Sequence, residues 1–290
     1  MSKIFPSKIL LFGEYSILNG SSALAIPLEN FFGKWIAEGG PEINRKALSA
    51  FSKFLVSKNF DFLDTDKFVS DLQQGLNFDS NIPIGYGMGS SGSVSAAIYF
   101  SYRNNPSDQK VSTYRDHLSQ MENFFHGNSS GLDPLVSFLN KAILKTQDGT
   151  FGEVDRLKRI DGLHIFLIDT KQPRSTAPLV KKYKDLLEDN KFKAAIKKTY
   201  INYVEDTIAA FLRADLDLFF TGLDRISKFQ FQHFQDMILD QNRMDWASAL
   251  DTDFCRLKLC GAGGGGYILG FTKDREKAKE LFGEMLFVDI

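Results

Sequence analysis

Pro83-Ile84-Gly85-Tyr86-Gly87-Met88-Gly89-Ser90-Ser91-Gly92-Ser93 is the stretch from which the rest of this chain can be read. Glycines stand at 85, 87, 89 and 92 and serines at 90, 91 and 93, and an apolar run through Val94, Ala96, Ala97, Ile98 and Phe100 follows at once. A glycine- and serine-rich loop that opens a helix presents unpaired backbone N–H groups and the positive helix end, which suits phosphate. The segment therefore reads as a binding loop for a nucleotide or another phosphorylated ligand. It fits neither the lysine-ended phosphate loop nor the plain dinucleotide fingerprint, because no lysine follows the glycines. A lysine that serves the site must come from elsewhere in the chain.

The composition sets the frame around that loop. A chain of 290 residues can bury a substantial core in one or two domains. Hydrophobic content of 43% and charged content of 24% are ordinary for a globular protein. A net charge of −1 leaves no basic footprint for nucleic acid, so no nucleic-acid partner is expected. The 27 phenylalanines fall at core-like spacings and read as packing. Cys255 and Cys260 form no metal-ligand or disulfide pattern and read as reduced, structural thiols. With no apolar targeting core at Met1–Pro6 and no run of membrane-spanning length, the expectation is a cytoplasmic protein without a membrane partner.

Outward from the loop, residues 8–12 read as a buried strand closed by Gly13-Glu14, and residues 17–27 as a second strand region after Asn19-Gly20. Leu48, Phe51 and Leu55 mark a helical face, and Phe68, Leu72 and Leu76 repeat it before a stop near Gly75. Tyr114, Leu118, Met121 and Phe125 predict a helix over 113–126, capped by Ser112 or Thr113 and ended by Gly127. Gly149 to Gly152 reads as a hairpin or linker, and the first domain is expected to end near residue 155. Beyond it lie a strand at 163–168, a polar turn over 169–176 and helices over 178–240 whose lysines form solvated faces. A strand at 256–260, the loop 261–266, a strand, a helix and a short terminal strand close the chain. Strands mixed with helices in both halves argue for a two-domain α+β chain.

Several side chains could carry chemistry. Glu122 and Asp133 can divide the work of holding Mg²⁺ and of positioning or deprotonating an attacking hydroxyl. The same pair also reads as a surface glutamate and a turn aspartate ahead of Pro134. Lys8 either points to solvent from its strand or, beside an aspartate in a cleft, stabilises developing negative charge. Glu14 and Tyr15 sit where a strand opens into a loop, a frequent place for substrate contacts and equally for a solvated turn. Five glycines in the six residues 261–266 suit the close approach of a ligand or of another backbone, or a flexible hairpin. His126 can cap its helix, and His117, His164 and His233 read as structural.

In their order along the chain, these segments resemble the GHMP kinase superfamily over essentially the whole length. Residues 8–20 match its first motif, 83–93 its second and 258–266 its third. Two further segments, 125–133 and 169–176, resemble those of mevalonate kinases within it. The resemblance implies a two-domain GHMP kinase-like α+β fold. A ribosomal-protein-like ATP-binding domain would span residues 1–155 and a ferredoxin-like domain residues 156–290, with the site between them. It implies Asp133 as catalytic base with Lys8 as its charge partner, and Ser91 and Glu122 as Mg²⁺ ligands. ATP would be held by Pro83, Gly85, Gly87, Met88, Gly89, Ser90, Ser91, Gly92 and Ser93, with Gly261, Ala262, Gly263 and Gly264 closing the site. Glu14, Tyr15, His126, Ser130 and Arg174 would face the acceptor, and a homodimer is a family-level expectation.

The implied reaction is transfer of the γ-phosphate of ATP to the hydroxyl of mevalonate, a step in isoprenoid precursor synthesis. Four positions depart from the mevalonate kinase pattern. Tyr15 replaces a histidine and matches the Gly-Glu-Tyr of phosphomevalonate kinases. Ser129 replaces a proline, Gly92 an alanine and Tyr86 a small residue. Phosphomevalonate kinase, a mevalonate-type decarboxylase and a non-catalytic nucleotide-binding regulatory protein are the alternatives.

Overall fold

In a computed structural model, which describes residues 3–107, 109–155 and 157–288, the chain builds two antiparallel sheets and packs helices around them. The first half runs β1 (Ile4–Phe12), β2 (Ala23–Ile36), α1 (Glu42–Lys58), α2 (Thr65–Gln73), β3 (Asn77–Ser80), α3 (Ser90–Tyr102), α4 (Val111–His126), α5 (Leu132–Leu139), β4 (Ala142–Lys145) and β5 (Phe151–Val154). The second runs β6 (His164–Asp169), α6 (Thr176–Leu186), α7 (Asn190–Ala195), α8 (Ile201–Arg213), α9 (Leu216–His233), α10 (Arg243–Leu250), β7 (Cys255–Leu259), β8 (Tyr267–Thr272), α11 (Arg275–Phe282) and β9 (Leu286–Val288).

The long strand β2 organises the first sheet. One edge pairs with β1, while the other pairs first with β4 through Ala23–Ala25 and then with β3 through Gly33–Ile36. The second sheet has the order β7-β8-β6-β9. With helices inserted after β6 and after β8, this is the split βαββαβ arrangement of a ferredoxin-like unit, as expected of the second half. The hairpin over Gly149–Gly152 joins β4 to β5.

Strand β1 lies between two cores, and its register shifts at Pro6/Ser7 and Leu10/Phe12 let residues of the same parity serve both. Phe5 packs with Phe51, Leu118 and Ile143 under the helices of the first half. Ile9, Leu11 and Phe12 enter the core of the second half. There the Phe12 ring meets Phe211 at 6.1 Å, Phe219 at 6.0 Å and Phe271 at 6.0 Å, so apolar packing runs continuously from the first sheet to the second. The domain boundary expected between residues 155 and 156 meets Arg156, which lies outside the described residues.

One cap differs from the sequence reading. Helix α4 starts at Val111 with Lys110 in the N-cap position and no side-chain cap, rather than behind Ser112 or Thr113. Val111 adds its side chain to the apolar face, and this packing extends the helix past the serine. Its end at Gly127, with φ 70°, is where the glycine predicted it.

Helix α3 runs through the middle of the first half with Gly92, Ser93, Ser95, Ala96 and Ala97 all buried, because small residues let α5 come close. A Cβ on Gly92 would lie 2.9 Å from both the carbonyl carbon of Asp133 and the nitrogen of Pro134, backbone atoms that cannot rotate away. Gly92→Ala should therefore cost about 1–3 kcal/mol through overpacking. The expected readout is a lower urea midpoint with an unchanged slope; an unaltered midpoint would contradict the close α3–α5 contact.

Candidate active site

The glycine loop leads into the N-terminus of α3, with Gly85, Gly87 and Gly89 in left-handed backbone at φ 80°, 70° and 77°. Gly89 occupies the N-cap position and no side chain caps the helix. The first N–H groups of α3 are thus presented as an anion site would require. The loop is fixed from beneath, because the backbone N–H of Lys8 donates to the carbonyl of Met88 at 2.9 Å.

Two carboxylates meet at this helix end. Asp133 lies in the first turn of α5, behind Gly131, and its Oδ2 is 3.0 Å from Nζ of Lys8. Lys8 is buried within β1, whereas the Asp133 side chain stays about one-third exposed at 32%. Glu122, buried on α4, accepts from Ser91 Oγ at 3.0 Å through Oε1 and from Ser129 Oγ through Oε2. Ser91 Oγ also lies 3.0 Å from Nε2 of His126. Burial and, after it, the negative charge of Asp133 push the Glu122 carboxyl up to about 7, while the Ser129 and Ser91 hydroxyls and Lys8 pull the other way.

The second half of the chain closes over this point. Tyr15, with φ 59°, directs its hydroxyl to the carbonyl of Ala262 at 2.6 Å and lays its ring on Tyr183 and Phe234, at 4.7 and 5.3 Å. Arg174 donates through Nη1 to the carbonyls of Cys260 at 2.7 Å and of Gly263 and Gly265 at 3.3 Å. Ser130 is exposed, and its hydroxyl accepts from the N–H of Leu132.

Two expected site residues are turned elsewhere. Ser93 is fully buried and donates its hydroxyl to the carbonyl of Phe5 at 2.8 Å, so its side chain is not offered to a phosphate. Three residues after Ser90 the helix brings position 93 to its inward face. Glu14 does not open onto a cleft as an acceptor contact would. It is buried against Nζ of Lys258, which also donates to the carbonyl of Leu259. Burial raises the Glu14 carboxyl, and Lys258 together with the N–H of Gly261 opposes that rise. Glu14 thus anchors the second glycine loop to the end of β1.

Lys258 and Ser129 were not singled out in the sequence as site side chains. A lysine amid the apolar residues Leu257 and Leu259 of a buried strand signals a buried partner. A serine two residues before Gly131 gives no such signal. His117 proves structural: its Nδ1 is 2.8 Å from the Tyr99 hydroxyl and its ring stacks on Phe62 at 3.9 Å. Cys255 and Cys260 are both buried free thiols. No helix among the described residues is long and apolar enough to cross a membrane.

Comparison with known proteins agrees with this architecture. Residues 51–141 match the family model described as GHMP kinases N terminal domain. Over 208 residues the chain is 28% identical to mevalonate kinase of Mus musculus, an alignment covering 64% of this chain and 52% of that protein. The chain spans about half the length, or less, of the curated relatives it matches. Its fold is similar to L. major mevalonate kinase in complex with R-mevalonate, with a TM-score of 0.69, 16% identity and coverage of 100% of this chain and 99% of that one. It is also similar to Streptococcus pneumoniae phosphomevalonate kinase in complex with phosphomevalonate and AMPPNP, with a TM-score of 0.67, 14% identity and coverage of 99% and 100%. Residues 51–141 thus resemble the N-terminal domain of GHMP kinases, and the whole chain shares its fold with members of that group.

The buried Glu122 generates a pH prediction. Its carboxyl is raised from an ordinary 4.5 to about 7, so across that window the folded protein holds a proton that the unfolded chain releases. The contribution of Glu122 to stability should therefore fall as pH rises from about 5 to 7, against the opposite trend of His117 and His164, whose imidazoles burial holds below their ordinary value. In the presence of a chelator, the urea midpoint of wild-type protein relative to Glu122→Gln should fall as pH rises across that window. A difference between the two that stays constant across the window would show that Glu122 does not titrate there in the folded protein.

Proposed function

We propose that the protein is an ATP- and Mg²⁺-dependent kinase that transfers the γ-phosphate of ATP to the hydroxyl of mevalonate. The observation that carries the reading is the Lys8–Asp133 ion pair beside the exposed N-terminus of α3, with Glu122 and Ser91 on its other side. The match of residues 51–141 to the GHMP kinase N-terminal domain and the fold shared with a mevalonate-bound kinase support it.

The loop over 85–91 cradles the phosphates with its backbone N–H groups, and Gly261 to Gly264 cover them from the other lobe. Lys8 places positive charge where negative charge develops, and Asp133 orients the acceptor hydroxyl and takes its proton. Glu122 and Ser91 would hold Mg²⁺. The donors are all oxygen, and the two mutually repelling carboxylates are the arrangement a divalent cation relieves. No group of three or more His, Cys, Asp or Glu among the described residues forms a metal cage. This suits an ion that takes one or two carboxylates and completes its shell with substrate phosphate. When bound, Mg²⁺ spreads the charge of the transferring phosphoryl group. On this reading the lobes are residues 1–155 and 156–290.

Tyr15 favours a second reading, phosphomevalonate as acceptor, because phosphomevalonate kinases carry the same Gly-Glu-Tyr, and the fold is comparably similar to one of them. Against it, a phosphorylated acceptor needs a free basic group. Arg174 turns Nη1 to three backbone carbonyls, so that only its Nη2 and Nε remain for such a group, and Lys181 and Lys182 are exposed beside Asp185 and Asp236.

The test is ADP release from Mg²⁺-ATP with mevalonate and, separately, phosphomevalonate. Wild-type protein should turn over mevalonate. Asp133→Asn should lose about 10²–10⁴-fold in kcat while still binding ATP, the span expected when a general base is removed. Near-wild-type turnover in Asp133→Asn would overturn the mechanism, and preference for phosphomevalonate would overturn the acceptor. ATP binding without ADP formation would favour a regulatory role.

A further inference from the structure

We propose that Arg174 is a positioning residue that locks the two glycine loops, 85–89 and 261–266, into one unit. For its functional consequence this rests on the kinase reading above.

The loops lie far apart in sequence and belong to different halves of the chain, yet one short segment is wedged between them. The backbone N–H of Arg174 donates to the carbonyl of Gly85 at 2.8 Å. Its guanidinium Nη1 reaches the carbonyls of Cys260, Gly263 and Gly265. The same segment is laced to the far end of the second loop. Thr170 N–H and Oγ1 both donate to the carbonyl of Gly266, at 3.0 and 2.7 Å, and Gly266 N–H donates to the carbonyl of Gln172 at 2.7 Å.

Space explains the glycines. A Cβ on Gly87 would fall 1.7 Å from Nη2 of Arg174, and one on Gly261 would fall 2.6 Å from the same atom. Both loops therefore lack side chains where the guanidinium lies. Arginine suits this task, because its planar guanidinium turns Nη1 to the loop carbonyls while Nη2 occupies the space left beside Gly87 and Gly261. The sequence placed Arg174 against the acceptor, but the hydrogen bonds of Nη1 go to backbone. Arg174 thus transmits the position of each loop to the other, so that the loop at the α3 N-terminus is pre-set when nucleotide arrives.

The experiment compares wild-type, Arg174→Ala, Arg174→Lys and Thr170→Val by backbone amide exchange, by calorimetric titration with AMPPNP and by steady-state kinetics. In Arg174→Ala, the amides of Lys8 and of position 174, which donate to the first loop, and those of Gly264 and Gly266 in the second should lose protection together, while exchange in β6 and α8 stays as in wild-type. AMPPNP affinity should fall about tenfold or more, as the loss of charge-assisted hydrogen bonds implies. Arg174→Lys should restore part of the affinity. Thr170→Val, which leaves the guanidinium in place, should loosen 261–266 alone. A rise confined to the acceptor KM, or a drop confined to kcat, with both loops as protected as in wild-type, would overturn the proposal. Global loss of protection in Arg174→Ala would mark a folding role and would also overturn it, unless Arg174→Lys, folded as wild-type, still showed the paired loss in the two loops. Absence of any AMPPNP binding to wild-type protein would instead remove the kinase reading, and the exchange data would still decide whether the loops are coupled.

Discussion

The ion pair between Lys8 and Asp133 is the constraint around which the rest of the site is arranged. It requires β1 and the first turn of α5 to be neighbours, and this in turn requires α3 to slip between them with almost no side-chain bulk. Gly89 and Gly92 meet that need: Lys8 Cγ lies 3.0 Å from where a Cβ on Gly89 would be, and the Asp133–Pro134 backbone is equally close to Gly92. Glycine loop, lysine and aspartate are therefore set by one packing problem. The same close approach that brings the carboxylate to the helix N-terminus leaves the N–H groups there uncovered.

A second constraint ties the halves of the chain together. Strand β1 carries Phe12 into the core of the second half, and the turn after it carries Glu14 to Lys258. A buried pair of this kind adds little net stability, because desolvation opposes the attraction, but removing one partner leaves the other charge stranded. Its value here is geometric: the loop at 261–266 is held at the end of the strand that supplies Lys8. Around it, Tyr15 takes up the carbonyl of Ala262 with its hydroxyl and packs its ring among Tyr183 and Phe234. Where the related pattern has histidine, this chain thus places an aromatic side chain engaged with the loop.

Much of this was legible in the sequence for reasons that are local. Residues 83–93 announce a glycine loop that opens a helix because glycine, serine and a following apolar run are short-range signals. The helix ending at Gly127 and the hairpin at Gly149–Gly152 follow from glycine backbone preferences in the same way. The features that were not legible depend on partners far away in the chain. Lys258 and Glu14 find each other across 244 residues, and Arg174 meets Cys260 across 86. Ser93 looks like its neighbours Ser90 and Ser91 until the helical period turns it inward to Phe5. The start of α4 was misplaced because packing of Val111 outweighed the local capping preference of Ser112. Roles that depend on spacing along one element could be read from the chain, whereas roles that depend on tertiary pairing required the fold.

The central claim is that the site between the two glycine loops transfers a phosphoryl group to an alcohol. It is tested most directly by ³¹P NMR of wild-type protein incubated with Mg²⁺-ATP and mevalonate. The account predicts a new phosphomonoester resonance that grows in step with ADP and is absent without the alcohol. ATP that stays intact, or inorganic phosphate as the sole new product, would contradict it.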